Sequence, residues 1–446
     1  MSKIRISLCV ILFIFISMGF DAQAQEAKAR WEMTNLIRQK KLEIILPKAM
    51  RENNIDMWII VNKYGSSDPL AQDLGGGRAT DKYFQNQYVG YLVLTDRGGD
   101  QIESVALGSS LLKKRADLKG FVEERDPQRI AVNMSEYLGY ADGLSHTGYL
   151  ALVKDLGEKY AVRLVSSEYL VSDFRSLKVS SEIAVFAKAI QLTGQLMERA
   201  LSNEVIMPGV TTLGDVAFWV ADQLIARGYT PSYGRPRIMY SKMYVDEDGQ
   251  QIVKPLTGPY DKVIQRGDFV AWDGGIRIFG GYSTDIERYA YVLREGETDV
   301  PESIKNAWEH GLKVRKLCHE LIKPGRTGLE TLKLMYSKVK ELGYEIQYEE
   351  DNVSDSSNIE INIGWHSIAE QGHGSGPAVW IDRDQPFTSS LVLKPTHIQA
   401  FEFFVYYPLP EWGGKKMRVD FEEDVIITEN GAELFIPEID KITLIR

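Results

Sequence analysis

Apolar positions in the first third of the chain follow first the spacing of a helix and then the unbroken run of a buried strand. This pattern predicts a helix over residues 36–51 and a strand over residues 57–61, followed by a polar, glycine-rich loop. Further short strands and helices up to about residue 177 predict a domain of mixed α/β type. A long helix follows, and Ser180 or Ser181 is its expected cap, because serine is favoured at helix starts.

The second half of the chain contains an internal repeat with an offset of 116 residues. Seven of thirteen positions are identical in the two copies: Leu201 and Leu317, Glu204 and Glu320, Ile206 and Ile322, Pro208-Gly209 and Pro324-Gly325, Thr211 and Thr327, and Leu213 and Leu329. Each copy predicts a helix, a turn and a second helix capped by threonine. We infer a duplication, which predicts two halves related by a pseudo-twofold axis, with their sheets packed together and helices outside.

A second correspondence, at an offset of 129 residues, aligns two apolar runs that each end in an acid, Asp273 or Glu402. Each acid has a later partner, Asp285 in the first half and Glu422 in the second. We therefore expect one pair of acids from each half to meet at the pseudo-axis. Because a buried carboxylate must be paired or bind a metal, four converging carboxylates indicate a cation site.

Four oxygen ligands and an imidazole suit two divalent ions, and a two-metal site is a known means of activating water for hydrolysis. The chain after residue 24 has six histidines. Only the segment 364–377 looks like part of a site, because it places His366 and His373 in a glycine-rich frame.

Residues 1–24 have the composition of a secretory signal, with basic Lys3 and Arg5, an apolar run, and small residues before Gln25. The apolar run is short for a membrane span, so we expect a periplasmic or secreted protein without a membrane partner after cleavage. Cys318 is then its only cysteine, which excludes an intrachain disulfide. Removing the signal's two basic residues and one acid from 52 and 62 leaves a net charge of about −11, which argues against nucleic acid as a partner.

Several segments together resemble the creatinase/prolidase/aminopeptidase P family, the pita-bread metallopeptidases. The matching segments are 273, 283–288, 366–373, 393–402 and 422–428, with 129–133 and 141–145 in the first domain. The resemblance spans about residues 30–440. It implies an α/β (α+β) fold, with a creatinase-like N-terminal domain over 25–177 and a pita-bread catalytic domain over 178–446.

Carried over residue by residue, the resemblance implies a dinuclear metal site. Asp273, Asp285, His366, Glu402 and Glu422 would hold two divalent ions, and Asp285 and Glu422 would bridge both. The oxygen-rich shell favours manganese, with zinc and cobalt as alternatives. Glu402 would also take the proton of the attacking, metal-bridging water.

Two histidines compete for the role of the single imidazole ligand. His366 is supported by the seven-residue step to a second histidine, which the family shows after its ligand. His373 is supported by its distance of 29 residues from Glu402, but it would put Trp380 where the second histidine belongs. We assign His366 as the ligand and His373 as the residue that hydrogen-bonds the substrate or the tetrahedral intermediate, and the opposite assignment stays open.

Three departures from the family pattern bear on the substrate. The step from Asp273 to Asp285 is 12 residues where the family usually has 11. The histidine that the family places shortly upstream of the first Asp is missing, since residues 254–267 contain none. Asp420 stands where proline-specific members commonly have an arginine. The predicted metal site tolerates all three changes, whereas proline specificity follows less directly.

The first hypothesis for function is an exported, two-metal aminopeptidase that releases the N-terminal residue of short Xaa-Pro or related peptides. A second hypothesis keeps the metals but acts on a C–N bond of a creatine-like molecule, or as a lyase. A third is a catalytically silent binding protein on the same scaffold. The resemblance also implies a homo-oligomer, a dimer or a tetramer, and it leaves substrate and metal identity open.

Overall fold

A computed structural model of the chain describes residues 25–63, 68–71, 73–74, 89–107, 118–234, 236–241, 244–245, 251–252, 255–257, 260–278, 281–348, 356–369, 372–381 and 386–446. The predicted signal, residues 1–24, lies outside these ranges. In the parts of the chain that are described, no helix is both long and apolar enough to cross a membrane.

Five strands form the sheet of the first part of the chain: β1 (Met57–Lys63), β2 (Val89–Asp96), β3 (Ile102–Leu107), β4 (Ile130–Val132) and β5 (Leu164–Ser166). Their order in the sheet is β3-β2-β1-β4-β5. Central β1 is antiparallel to β2 and parallel to β4. Its residues from Met57 to Val61 are buried in sequence without alternation, as in a strand that is covered on both faces. The predicted strand over 57–61 is confirmed.

Helices cover the sheets on their outer sides. They are α1 (25–40), α2 (Leu46–Glu52), α3 (Leu118–Arg125), α4 (His146–Leu156), α5 (Glu158–Ala161), α6 (Glu168–Ser176), α7 (Ser180–Ala200), α8 (Leu213–Ile225), α9 (Glu302–Leu321), α10 (Gly328–Glu341) and α11 (Pro386–Ser390). A π-helical turn, Lys41–Ile45, joins α1 to α2, and 3₁₀ turns lie at Gly139–Ala141 and Pro410–Trp412. The helix predicted over 36–51 therefore exists, but it contains a π turn.

The expected serine cap of α7 is wrong by one residue. Val179 is the N-cap and Ser180 is already helical. The backbone amide of Val179 donates to the carboxylate of Glu182 at 3.3 Å. Glu182 is buried beside Lys41 and Lys178, so a carboxylate in the first turn stabilises this helix start in place of a serine hydroxyl.

The second part of the chain contains two main sheets. The first has the order β10-β7-β11-β14-β22 and the second the order β15-β16-β19-β17-β18, with β20 and β21 added beside β19. Smaller sheets are β13-β12-β6 and β8-β9. The bounds are β6 Thr230–Pro231, β7 Arg237–Ser241, β8 Tyr244–Val245, β9 Gln251–Ile252, β10 Pro255–Thr257, β11 Phe269–Gly274, β12 Ile276–Ile278, β13 Tyr282–Ser283, β14 Ile286–Val292, β15 Glu345–Ile346, β16 Glu360–Ile363, β17 His366–Ala369, β18 Gly372–His373, β19 Ile398–Pro408, β20 Lys416–Thr428, β21 Gly431–Leu434 and β22 Thr443–Ile445.

The two main sheets meet along β14 and β20. The backbone amide of Asp285, just before β14, donates to Asp424 of β20 at 3.1 Å. Four residues further along each strand, the amide of Asp420 donates to the hydroxyl of Tyr289 at 3.0 Å. This contact is the predicted meeting of the two halves, and it brings the acids of both halves together.

The internal repeat is present in three dimensions. Thr212 caps α8 and bridges to Val263, and Thr327 caps α10 and bridges to Val392 in the same way. The pairing of Thr211 with Thr327 is therefore wrong by one residue. The first copy has one more residue between its Pro-Gly turn and its cap, so the offset falls from 116 to 115 at the helix start.

The first and second parts of the chain contact each other at the turn before β19. Lys394 forms ion pairs with Asp173 at 2.7 Å and with Glu52 at 3.1 Å. Next to it, His397 is fully buried and its Nε2 lies 3.3 Å from the hydroxyl of Ser176. The predicted division of the chain at 177/178 lies beside this contact and stays a prediction.

Candidate metal centre

Asp273 and Asp285 belong to the first main sheet. Asp273 is the fifth residue of β11, and Asp285 immediately precedes β14, which is the antiparallel neighbour of β11. Between them the chain forms β12 and β13 rather than a simple hairpin loop. Gly275 begins this excursion, and a Cβ on it would lie 2.0 Å from the carbonyl oxygen of Thr284. Only glycine allows the two strands to approach this closely beside Asp285.

Glu402 and Glu422 lie directly opposite each other in the second main sheet. They are partners in the register of β19 and β20, which runs over eleven residue pairs. Side chains of directly opposed residues lie on the same face of a sheet about 5 Å apart. Two carboxylates at this spacing repel unless a cation or a proton lies between them.

His366 brings an imidazole to the acids. It is the first residue of β17 and pairs with Ala400 of β19. Its Nε2 lies 3.7 Å from Asp285 Oδ2 and 3.7 Å from Glu422 Oε1. One ligand atom of each of these three residues falls within 4.8 Å of the others, and all three residues are buried.

The pKa values of three acids at this point, Asp285, Glu402 and Glu422, are raised. Burial raises the pKa of Asp285 well above the usual range, and the charge of Asp273 raises it further. Burial also raises the pKa of Glu422 well above the usual range, and the charge of Asp285 adds to this. Burial, followed by the charge of Asp273, also raises the pKa of Glu402. Oxygen atoms of Asp285 and Glu422 are buried without a hydrogen-bond partner in the described chain. Buried acceptors that lack donors fit a site for divalent cations.

The remaining two predicted ligands lie at the edge of this group. Asp273 forms an ion pair with Arg237 of β7, in which Oδ2 lies 2.7 Å from Nη1. The Oε2 of Glu402 lies 4.0 Å from the position of a Cβ on Gly364. The structure thus brings Asp285, His366 and Glu422 into one group and places Asp273 and Glu402 beside it on neighbouring strands.

Tyr233 and Arg237 are site residues that the sequence reasoning missed. The hydroxyl of Tyr233 donates to Asp285, and burial, followed by the charge of Asp285, raises the pKa of Tyr233, so the phenol keeps its proton. Arg237 is opposite Asp273 in the register of β7 and β11. No spacing in the sequence indicates either contact, because both depend on how distant segments of the chain lie against each other.

A second layer of charge was also missed, although a signal for it exists. Glu287 is opposite Asp273 in the register of β11 and β14 and is buried. Burial, followed by Asp420 and Asp273, raises its pKa well above the usual range. Asp420 accepts two hydrogen bonds from Arg418, at 2.6 and 2.7 Å. Because alternate residues of a strand share a face, positions two from Asp285 and Glu422 could have been named in advance.

The predicted role of His373 depends on its side chain, which lies outside the part of the chain that the structure describes. Its backbone belongs to β18, where it pairs with Ile368 of β17. Its neighbour in sequence, Gly374, donates from its backbone amide to Ser367. The choice between His366 and His373 as the ligand therefore rests on the position of His366 alone.

Buried carboxylates and an imidazole that converge in a mixed α/β fold are typical of a metal-dependent enzyme. The family model for metallopeptidase family M24 matches residues 184–429. The chain belongs to this family and is a metallopeptidase, so the expected family, the pita-bread fold and the enzyme class are confirmed. The hypothesis of a silent binding protein receives no support.

Solved structures show the same fold. An X-Pro aminopeptidase from Thermotoga maritima MSB8 is 18% identical with a TM-score of 0.54, and the match covers 90% of this chain and 98% of that one. An Xaa-Pro dipeptidase from Bacillus anthracis is 20% identical with a TM-score of 0.56, covering 91% and 99%. A dipeptidase from Mycobacterium ulcerans is 16% identical with a TM-score of 0.56, covering 92% and 98%. A search of curated proteins found no match.

Proposed function

We propose that this metallopeptidase is an exported aminopeptidase that binds two divalent ions and releases the N-terminal residue of short peptides, with Xaa-Pro peptides as the first substrates to test. The observation that carries the proposal is the convergence of Asp285, His366 and Glu422 within 4.8 Å. The family match supports a peptide substrate, and so do the X-Pro aminopeptidase and Xaa-Pro dipeptidase among the similar structures.

Five residues would hold the ions: Asp273, Asp285, His366, Glu402 and Glu422. Manganese is the first candidate, because four of the five side chains offer oxygen, and zinc and cobalt are the alternatives. Bound divalent ions would polarise the scissile carbonyl and activate water for hydrolysis.

The side chains around the ions have separate tasks in this proposal. Glu402, which faces Glu422 across the strand pair, accepts the proton of the attacking water on its carboxylate and returns it to the leaving amine. Tyr233 fixes the orientation of Asp285 through its hydrogen bond. His373, carried by the short strand β18, donates a hydrogen bond to the substrate or the tetrahedral intermediate.

The test is metal analysis of the purified protein followed by a peptide panel. We expect two ions per chain, and release of the first residue from Xaa-Pro or Xaa-Ala peptides that stops with chelator and returns with Mn²⁺. Glu402→Gln should bind peptide but release product at least 100-fold more slowly, since general base catalysis contributes about 10²–10⁴-fold. Two bound ions without hydrolysis of any peptide in the panel would contradict the proposal.

One observation favours the second hypothesis, action on a creatine-like C–N bond. Arg418 and Asp420 are bonded to each other in a bidentate pair near the centre, so the strand position at which an arginine was expected carries a neutralised acid. The peptide panel should therefore include creatine-like compounds. Release of a urea-type product in the absence of peptidase activity would establish this alternative.

Export and assembly are further parts of the proposal. The basic, apolar and small-residue segments of residues 1–24 support signal cleavage before Gln25. Mass spectrometry of the protein from the periplasm or the medium should find Gln25 as the first residue. Light scattering during gel filtration should give the mass of a dimer or a tetramer.

A further inference from the structure

A wide groove of about 750 Å³ opens beside the metal centre. One wall is the outer face of α8, which presents Phe218, Ala221 and Ile225, residues spaced by three and four positions. The aromatic ring of Tyr260 stacks on Phe218 with the ring centroids 5.5 Å apart. Tyr229 also lines the groove, so most of its surface is apolar or aromatic.

The apolar wall is open to solvent. Phe218 is 58% exposed and Ile225 is 70% exposed. An apolar helix stripe normally faces a core, whereas this stripe faces the groove. A bound apolar group would remove these side chains from water, which is favourable.

Arg277 is the one charged residue among the described residues that line the groove. It lies on β12, where it is the register partner of Thr230 in β6. Its Nη2 donates to the backbone carbonyl of Ser232 at 3.1 Å, and its Nε is buried without a hydrogen-bond partner in the described chain.

The other guanidiniums near the centre are already paired with carboxylates. Arg237 pairs with Asp273, and Arg418 with Asp420. Arg277 has no carboxylate partner within the described ranges. A guanidinium that keeps an unused donor beside an apolar groove is complementary to a carboxylate, which accepts a charge-assisted hydrogen bond from it.

The groove and the metal centre are connected through Tyr233. Ser232, which holds the guanidinium of Arg277, is followed by Tyr233, which lines the groove and donates to Asp285. Ser232 is itself fixed, because its hydroxyl donates to the carbonyl of Thr284 at 2.9 Å. Tyr233 therefore belongs both to the wall of the groove and to the surroundings of Asp285.

We propose that this groove binds the C-terminal end of a short peptide substrate, with Arg277 pairing with the terminal carboxylate and the α8 wall taking an apolar side chain. The inference rests on the proposed peptidase function and specifies its substrate class as short peptides with a free carboxyl terminus and an apolar last residue. Arg277 is thus a specificity-determining residue, remote from the reacting bond.

The experiment compares tripeptides that differ only in their C-terminal group, a free acid or a carboxamide. The variants are Arg277→Gln, Arg277→Lys and the matched control Arg294→Gln, an arginine on the exposed side of the molecule that pairs with Glu297. We expect the natural sequence and the control to prefer the acid by about 10-fold or more in kcat/KM, which is the effect of one charge-assisted hydrogen bond.

Arg277→Gln should lose this preference through a higher KM for the acid, and Arg277→Lys should keep part of it. Equal rates for acid and carboxamide in the natural sequence, or an unchanged preference in Arg277→Gln, would overturn the inference. The inference would also be overturned if a tripeptide carboxamide that carries an acidic side chain were preferred over a tripeptide with a free C-terminal acid. Thermal melting of each variant checks that the fold is retained.

Direct binding separates this inference from the proposed function. Calorimetry of the protein with the same tripeptides, under conditions without turnover, measures the acid-over-carboxamide preference even if no peptide is hydrolysed. Phe218→Ser should weaken binding of a peptide that ends in leucine and leave one that ends in glycine unchanged. Equal losses for the two peptides would contradict the role of the apolar wall.

Discussion

Among single residues, His366 occupies the position with the clearest consequence. It lies 3.7 Å from both Asp285 and Glu422, so its removal takes the imidazole away from the group of three. We expect His366→Ala to lose at least one bound ion per chain and His373→Ala to keep both. Elemental analysis of the two purified variants decides this, and metal loss confined to His373→Ala would reverse the assignment.

His397 is a buried imidazole with complete hydrogen bonding in its neutral form. The backbone amide of Lys394 donates to its Nδ1 at 3.2 Å. Its Nε2 is therefore protonated and faces the hydroxyl of Ser176, which in turn donates to the carbonyl of Ser172. Burial, followed by the charges of Lys394 and Lys178, lowers the pKa of His397 from 6.5 to about 3.

This depressed pKa predicts a pH dependence of stability. Between about pH 3 and 6.5 the unfolded chain binds a proton at His397 and the folded chain does not. The free energy of unfolding therefore rises with pH in this window, by up to about 1.4 kcal/mol per pH unit from this residue. Urea unfolding from pH 4.5 to 7 should show a smaller slope for His397→Gln than for the natural sequence, and equal slopes would refute the prediction.

Glu287 is a carboxylate that folding places opposite another carboxylate. Because its ionised form is disfavoured by burial and by Asp420 and Asp273, replacing it with glutamine should stabilise the metal-free protein at pH 8 by an amount on the order of 1 kcal/mol. Chemical unfolding in chelator measures the difference. The exposed Glu295→Gln serves as the control and should change stability by less than about 0.5 kcal/mol.

Gly311 allows α9 to pack closely against β20, and Gly194 of α7 is a helix glycine with more space around it. A Cβ on Gly311 of α9 would lie 1.9 Å from Phe421, whereas a Cβ on Gly194 of α7 would meet only Ile436, at 3.3 Å. Phe421 is held between Trp308 and Phe403, at centroid distances of 4.6 and 5.1 Å. It therefore has little room to move.

Alanine at these two glycines should have opposite effects. Both substitutions gain up to about 1 kcal/mol of helix propensity, but Gly311→Ala also overpacks the core, at a cost of about 1–3 kcal/mol or more. We expect Gly311→Ala to lower the melting temperature and Gly194→Ala to leave it unchanged or raise it. Because Phe421 precedes Glu422, Gly311→Ala should also weaken metal binding, which titration calorimetry can detect.

The elements themselves were largely predictable, because their signals are local. The apolar run of β1 predicted the strand, and the Pro-Gly turns with a following threonine predicted α8 and α10 in both copies. The turn between β20 and β21 contains Asn430-Gly431, a dipeptide typical of tight hairpin turns, and the pair Thr428 and Gly431 closes it. The predicted cap of α7 was wrong, because the N-cap is Val179 and its backbone amide donates to the carboxylate of Glu182 in the first turn of the helix.

The candidate site was predictable only as far as it depends on position within a strand. Asp273 and Glu402 end apolar runs that are visible in the sequence, and Asp285 and Glu422 are their later partners. Arg237 was not predictable, because its contact with Asp273 follows from β7 lying next to β11. Cross-strand neighbours of this kind depend on topology, which the spacing of residues does not contain.

At the scale of the whole molecule, bound ions should stabilise the fold. The ligands come from both halves, so the unfolded chain cannot present them together. An ion at 100 times its dissociation constant adds about 2.7 kcal/mol to the free energy of unfolding. Differential scanning fluorimetry should show a melting temperature that rises with Mn²⁺ and falls with chelator, and the rise should shrink in His366→Ala. A melting temperature that is independent of the ion would argue against the site.

The hydrogen bond between Asp285 and Asp424 joins residues that are 139 positions apart in the chain. Contacts of such long range form late in folding, because closing a long loop costs entropy before any contact compensates for it. The helix pairs of the two repeats are local and can form first. Metal ions should therefore change the rate of folding little and slow unfolding strongly. In a chelating environment this enzyme would unfold faster while its folded structure stayed the same.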